Sequence, residues 1–297
     1  MNKIKLAILG GDRRQLALTE QMLGRGVEVV CFALPSDLLP KGSHLAKSLD
    51  SALDDADAVI LPLPVSGDGV TLKCPLSDDT VEIGQILSLC RDRLVLGGNV
   101  SPSIKSEAVR KGVRLIDYFD FEELKIRNSV LTSEGAVSVA MNQLDIALCD
   151  SKSAVIGYGR IAKILAPLLK SLGSRVTVAA RKSTDLAWAA AYGFDTLKIG
   201  VARDGSSTLS ALSSGYDVIF NTVPFWLFDE ALLSGLSKKT LIIDLASAPG
   251  GVEPNAAKRL GTKVITALSI PGKYSPVSAG RIIGEYVYGV LEKELKL

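Results

Sequence analysis

The stretch from Ser153 to Ser183, SAVIGYGRIAKILAPLLKSLGSRVTVAARKS, admits few folds. An apolar run, Ala154-Val155-Ile156, meets Gly157-x-Gly159-x-x-Ala162. A helical pattern then leads to a second apolar run ending at Ala180. Each small residue has a physical task. Gly157 permits a tight turn, Gly159 brings no Cβ to block approach to the backbone, and Ala162 lets a helix lie close on a sheet. A helix starting at Arg160 and Ile161 presents free N–H groups and the positive end of its dipole, an arrangement that suits a pyrophosphate. The spacing alone is generic. The strand, turn, helix, strand context makes it a dinucleotide-binding unit.

The second run ends in Arg181-Lys182-Ser183. A site for NAD usually carries an acid here to hold the ribose 2′-hydroxyl. Two cations and a hydroxyl suit a 2′-phosphate instead. The expected cofactor is therefore NADP, with NAD the less favoured choice because Asp185 stands near enough in sequence to turn toward a ribose.

A chain of 297 residues suggests two domains, and its 47% hydrophobic content can fill two cores. Net charge is +2 and aromatic residues make up 5%, which gives no case for a nucleic acid or an anionic membrane surface as partner. The four cysteines, Cys31, Cys74, Cys90 and Cys149, show no metal-ligand spacing, so no metal is expected. They look like reduced thiols of a cytoplasmic protein, with Cys31 and Cys90 in the core. The run Ile4 to Leu9 reads as a first strand rather than a targeting peptide, and no apolar run approaches a membrane span. A homo-oligomer is expected.

Strand and helix signals alternate along the chain, which predicts an α/β protein of two doubly wound parallel-sheet domains. Residues 1–128 form the first, a flavodoxin-like domain that holds substrate. Residues 129–297 form the second, a Rossmann domain, with a linker helix over 133–148 capped by Thr132 or Ser133. A helix over 278–297, with Ile282, Ile283, Val287 and Leu291 at helical spacing, is expected to pack back toward the first domain.

Ligands in such sheets lie beyond the carboxyl ends of strands. Asn221-Thr222-Val223-Pro224 follows the strand Asp217–Phe220 and is expected at the nicotinamide ribose. Asp12 and Arg14 follow Gly10-Gly11, where a guanidinium at a helix start suits a carboxylate. Lys273 and Tyr274 fall in a glycine–proline loop. The one histidine, His44, is expected in a solvated loop. D-2-hydroxyacid dehydrogenases share the two-domain plan but place a histidine acid/base in the second half, and none stands here after residue 44.

The chain resembles the A subunits of dipicolinate synthase from spore-forming Gram-positive bacteria over nearly its whole length. The likeness rests on ILGGDRRQ (8–15), LPLPVSGDG (61–69), LTSEGAV (131–137), VIGYGRIAK (155–163), VTVAARK (176–182), YDVIFNTVP (216–224), IIDLASAPGG (242–251) and SIPGKYSP (269–276). It implies a protein that works with a flavoprotein-like B subunit in the mother-cell cytoplasm during sporulation. Together they would oxidise dihydrodipicolinate, a small dicarboxylate, to dipicolinate with NADP as hydride acceptor. Asp12, Arg14 and Ser133 would then meet substrate, and Glu134, Lys273 and Tyr274 are the candidates to handle the proton. Two alternatives stay open. One is a regulatory NADP-binding subunit without chemistry of its own. The other is an NADP dehydrogenase of the shikimate or methylenetetrahydrofolate type, although its first-domain Lys–Asp pair has no convincing counterpart.

Overall fold

The computed structural model describes residues 4–200, 208–213 and 215–295. It divides into two compact units, residues 1–128 with 272–297, and residues 129–271.

The first unit opens with β1 (Lys5–Leu9), α1 (Arg13–Gly24), β2 (Glu28–Phe32), β3 (His44–Leu45) and α2 (Leu49–Leu53). It continues through β4 (Ala58–Ile60), α3 (Ile83–Leu89), β5 (Leu94–Gly97), α4 (Pro102–Arg110) and β6 (Arg114–Asp117), and enters α5 (Glu122–Gln143). All strand pairs are parallel, in the order β3-β2-β1-β4-β5-β6. Without the two-residue β3 this is the flavodoxin-like order expected; with it, the order is that of a dinucleotide-binding sheet. His44 thus pairs in a strand, opposite Val30, rather than lying in a loop.

Strand β1 explains the layers. Alternate side chains of a strand face opposite sides of a sheet. Leu6 and Ile8 pack with Leu18 and Met22 of α1, whereas Ala7 and Leu9 pack with residues of α2, α3 and α4. Both faces are covered, so the strand is apolar throughout, as parallel strands usually are.

The second unit contains β7 (Lys152–Ile156), α6 (Arg160–Ser171), β8 (Arg175–Ala180), α7 (Ser183–Ala191) and β9 (Asp195–Lys198). β10 (Val218–Asn221), α8 (Glu230–Gly235), β11 (Leu241–Asp244), α9 (Pro254–Leu260) and β12 (Lys263–Thr266) follow, and α10 (Ile270–Tyr274) begins in this unit and ends in the first. The order β12-β11-β10-β7-β8-β9, again all parallel, is the doubly wound dinucleotide-binding order with the reversal between β7 and β10. Val155 faces α6 residues Ala162, Leu165 and Leu169, while Ala154 and Ile156 face Leu232, Ala256 and their neighbours.

The last helix, α11 (Pro276–Leu295), belongs to the first unit and lies along α1. Ile283, Val287 and Leu291 are buried with Leu18 and Met22, as their spacing predicts. Residues 296 and 297 of the expected helix lie outside the described residues. Among the described residues no helix is long and apolar enough to cross a membrane.

Two expected elements differ. Helix α5 begins at Glu122, not at 133, and ends at Gln143 rather than 148. Glu122 and Glu123 occupy its first turn, where the helix dipole favours acids. The loop expected around Lys273 contains the short helix α10.

Candidate functional site

At the reversal point of the second sheet, β7 ends in Gly157 with φ of 93°. A Cβ there would lie 2.6 Å from Thr222 Oγ1 and 3.0 Å from Val223 Cγ2, so the turn closes against the β10 loop only because the residue is glycine. The contact is pinned by two bonds, from Thr222 N–H and from its hydroxyl to the Ile156 carbonyl, at 3.0 and 2.7 Å. The Thr222 hydroxyl is therefore spent inside the protein.

Gly159 is different. It is the N-cap of α6, its φ is −88°, no side chain caps the helix, and a Cβ would meet nothing within 4 Å. The Gly159 cap thus leaves open space in front of it at the positive end of a twelve-residue helix. This cradle fits the pyrophosphate of a dinucleotide. Ser133 supports it from α5, donating at 2.8 Å to the Ser129 carbonyl and at 3.3 Å to that of Ile161.

Asn221 is fully buried and does not reach out to a ribose. Its amide donates to Asp244 Oδ1 at 2.8 Å and to the Val223 carbonyl at 3.0 Å, and its carbonyl accepts from Val223 N–H. Asp244 also accepts from the N–H groups of Ala246 and Gly251. The pair ties the β10 loop to the β11 loop, while Pro224 beyond it is exposed. Changing Asn221 to Asp would set a second carboxylate against the buried Asp244. Urea denaturation should then show a loss of about 3 kcal/mol, the usual scale for breaking a buried charged hydrogen-bond pair. A loss under about 0.5 kcal/mol, the scale of an ordinary surface change, would refute the brace.

Beyond β8, Arg181, Lys182 and Ser183 are exposed, and Lys182, the N-cap of α7, makes no side-chain cap bond. A cation missed in the sequence joins them: Lys198 Nζ donates to Ser183 Oγ at 2.7 Å.

In the first unit the Gly10-Gly11 turn is closed by its own chain. Asp12 caps α1 through the Arg14 N–H at 3.0 Å. The buried Arg14 guanidinium grips Asp12 with Nε at 2.8 Å and Nη2 at 2.7 Å, and Nη2 also donates to the Leu63 carbonyl. Those groups hold the turn rather than wait for a substrate. The Gly11 N–H donates to the Lys73 carbonyl, so the loop carrying Lys73 crosses the turn. Burial, then the charges of Arg14 and Lys273, hold the Lys73 ammonium below its ordinary pKa, with Asp12 opposing. Gly272 sits on the ion pair, where a Cβ would lie 2.9 Å from Asp12 Oδ2. Lys273 and the half-exposed Tyr274 follow it. Lys73 had no motif to announce it; only the path of its loop over the turn reveals it.

Two further expectations change. Ser133 is buried in mid-helix, and its hydroxyl serves a carbonyl four residues back, which such a residue does when it does not cap. It neither caps α5 nor is exposed to a substrate. Glu134 is exposed on α5, twelve residues from its start rather than in the first turn. Cys31 and Cys90 are buried as expected, their thiols pushed up to about 11 by burial.

Residues 5–119 match the family model for the N-terminal domain of the dipicolinate synthase A subunit, and residues 152–248 match that of NADP oxidoreductase, coenzyme F420-dependent. The A subunit of dipicolinate synthase from Bacillus subtilis (strain 168) is 28% identical over 296 residues, covering 97% of this chain and 96% of that protein. The crystal structure of the Bacillus subtilis protein superposes with a TM-score of 0.83 at 27% identity, covering 99% of this chain and 97% of that one. That of its counterpart from Bacillus halodurans gives 0.87 at 24% identity and 97% coverage of both. The second unit therefore carries an oxidoreductase domain for a nicotinamide cofactor. Residues 5–119 thus resemble the N-terminal domain of the dipicolinate synthase A subunit, and the chain is similar to that protein along nearly its whole length.

Proposed function

We propose that this chain oxidises dihydrodipicolinate to dipicolinate with NADP, as the A subunit of a two-subunit enzyme whose B subunit is flavoprotein-like. The similarity to the A subunit of dipicolinate synthase along 97% of the chain carries the reading. The reaction removes two hydrogens from the ring, one as hydride and one as a proton. A nicotinamide held here would supply the hydride acceptor, and aromatisation of the ring favours the oxidation. The chain's own residues bind and orient. The N-terminus of α6, where Gly159 makes no side-chain cap, would hold the pyrophosphate, and Arg181, Lys182 and Ser183 would hold the 2′-phosphate. Lys73 and Lys273 attract the carboxylates of the substrate, while Asp12 and Arg14 fix the turn beside them. Lys273, Tyr274 and Glu134 are the candidates to take the proton. The setting is the mother cell of a sporulating bacterium.

The test is reduction of NADP and of NAD by the purified chain with fresh dihydrodipicolinate, with and without the B subunit. Dipicolinate formed with NADP supports the reading. None under any cofactor supply rejects it, and cofactor binding without turnover in either mixture favours a regulatory role. Lys73→Met should raise KM about tenfold with a smaller change in kcat, since a charged contact to a carboxylate is worth roughly 1.5 kcal/mol. An unchanged KM removes Lys73 from the site.

A further inference from the structure

We propose that Lys198, at the end of β9, is a third cation at the 2′-phosphate and sets the preference of this chain for NADP over NAD. The inference rests on the reading of Arg181, Lys182 and Ser183 as the phosphate site.

Parallel pairing carries the argument. In the register of β8 and β9, Lys198 stands opposite Ala180, the last residue of β8. The chain leaving β8 enters Arg181-Lys182-Ser183 at once, so a residue 15 positions away in sequence arrives beside that tripeptide. The contact is made: Lys198 Nζ donates to Ser183 Oγ at 2.7 Å. An ammonium has three N–H donors and Ser183 takes one. The Ser183 oxygen accepts that bond and keeps its own O–H to donate. Ammonium and hydroxyl are thereby oriented together before any ligand arrives, beside two exposed cations and the N-terminus of α7, which no side chain of Lys182 caps.

This arrangement discriminates by charge. A ribose 2′-phosphate carries close to two negative charges at neutral pH and three acceptor oxygens, whereas a 2′-hydroxyl carries none. A third cation therefore adds to the binding of NADP and little to that of NAD. The acid that would favour NAD is missing at the strand end, where Arg181 follows Ala180 directly.

The experiment is a calorimetric titration of the full chain with NADP and with NAD, for the wild type, Lys198→Met and Lys198→Arg. Lys198→Met should weaken NADP about tenfold, the scale of one charge-assisted hydrogen bond, and shift NAD less than about twofold. Lys198→Arg should recover most of the NADP affinity. If the wild type prefers NADP and Lys198→Met leaves both affinities unchanged, Lys198 plays no part and the inference is overturned although the site stands. Equal weakening of both nucleotides assigns Lys198 to the fold alone and overturns the inference. A wild type without preference for NADP removes the phosphate site itself, and the inference falls with it.

Discussion

Gly159→Asp will cost the chain nicotinamide nucleotide binding by about a hundredfold or more, roughly 2.8 kcal/mol, and will leave the fold at least as stable as before. The two halves of this expectation come from one observation. Gly159 has an extended backbone and open space where a Cβ would project, so a side chain enters without strain. Aspartate is among the best N-cap residues, and its carboxylate sits at the positive end of the helix dipole, worth about 0.5–1 kcal/mol to the fold. The same N–H groups are the ones a pyrophosphate needs. A carboxylate that occupies them removes the donors and adds a repelling charge. The first unit shows the capped state of an equivalent turn. There Asp12 takes the Arg14 N–H, and α1 offers no bare end. Gly159→Asp rebuilds that arrangement at α6. Gly157→Asp serves as contrast, because φ of 93° and the contact with Thr222 make it unstable as well as inactive. Thermal unfolding with and without NADP, alongside calorimetric titration, reads both effects. Wild-type binding by a folded Gly159→Asp chain would show that no pyrophosphate sits on α6.

How far the sequence discloses this protein depends on whether a feature is local. The glycine turn, its flanking strands and the first turn of α6 lie within one βαβ unit, and all are legible because each is set by neighbours a few residues away. The buried stripe of α11 is legible for the same reason. The roles of Asp12 and Arg14 escape the sequence because the guanidinium's choice is made by a residue far along the chain, the Leu63 carbonyl, which draws it inward against Asp12. Lys73 and Lys198 escape it since each reaches its site across space, one by a loop over a turn and the other by strand register. The start of α5 is ambiguous because Asn128, Ser129, Thr132 and Ser133 are all good capping residues, while Ser133 satisfies its hydroxyl inside the helix. Propensity names the residue types correctly and leaves their partners open.

Opposite outcomes are expected from two glycines of α11. Gly280→Val should destabilise the first unit by more than about 4 kcal/mol, whereas Gly289→Ala should stabilise it by about 0.5–1 kcal/mol. Composition cannot distinguish them, since both are helical glycines. Packing does. A Cβ on Gly280 would lie 2.3 Å from the Arg14 carbonyl oxygen and 2.7 Å from the Ala17 Cβ, so α11 touches the backbone of α1 there. Neither helix backbone can yield by a rotamer change, so the helices must part. Ile283, Val287 and Leu291 then lose contacts with Leu18 and Met22, each worth roughly 1.5–3 kcal/mol of burial. Parting also strains the turn of α1, because the displaced carbonyl belongs to Arg14, the residue that grips Asp12. Gly289 is exposed, with nothing within 4 Å of its would-be Cβ, so only helix propensity acts. Gly284 falls between them, since its nearest neighbour is the Gln21 side-chain oxygen, which can swing away. Urea denaturation of Gly280→Val, Gly284→Val and Gly289→Ala should therefore rank them in that order from most to least harmful. A Gly280→Val chain within about 1 kcal/mol of wild type would mean that α11 does not lie on α1 at this distance, since an added side chain in a close-packed contact costs at least that much.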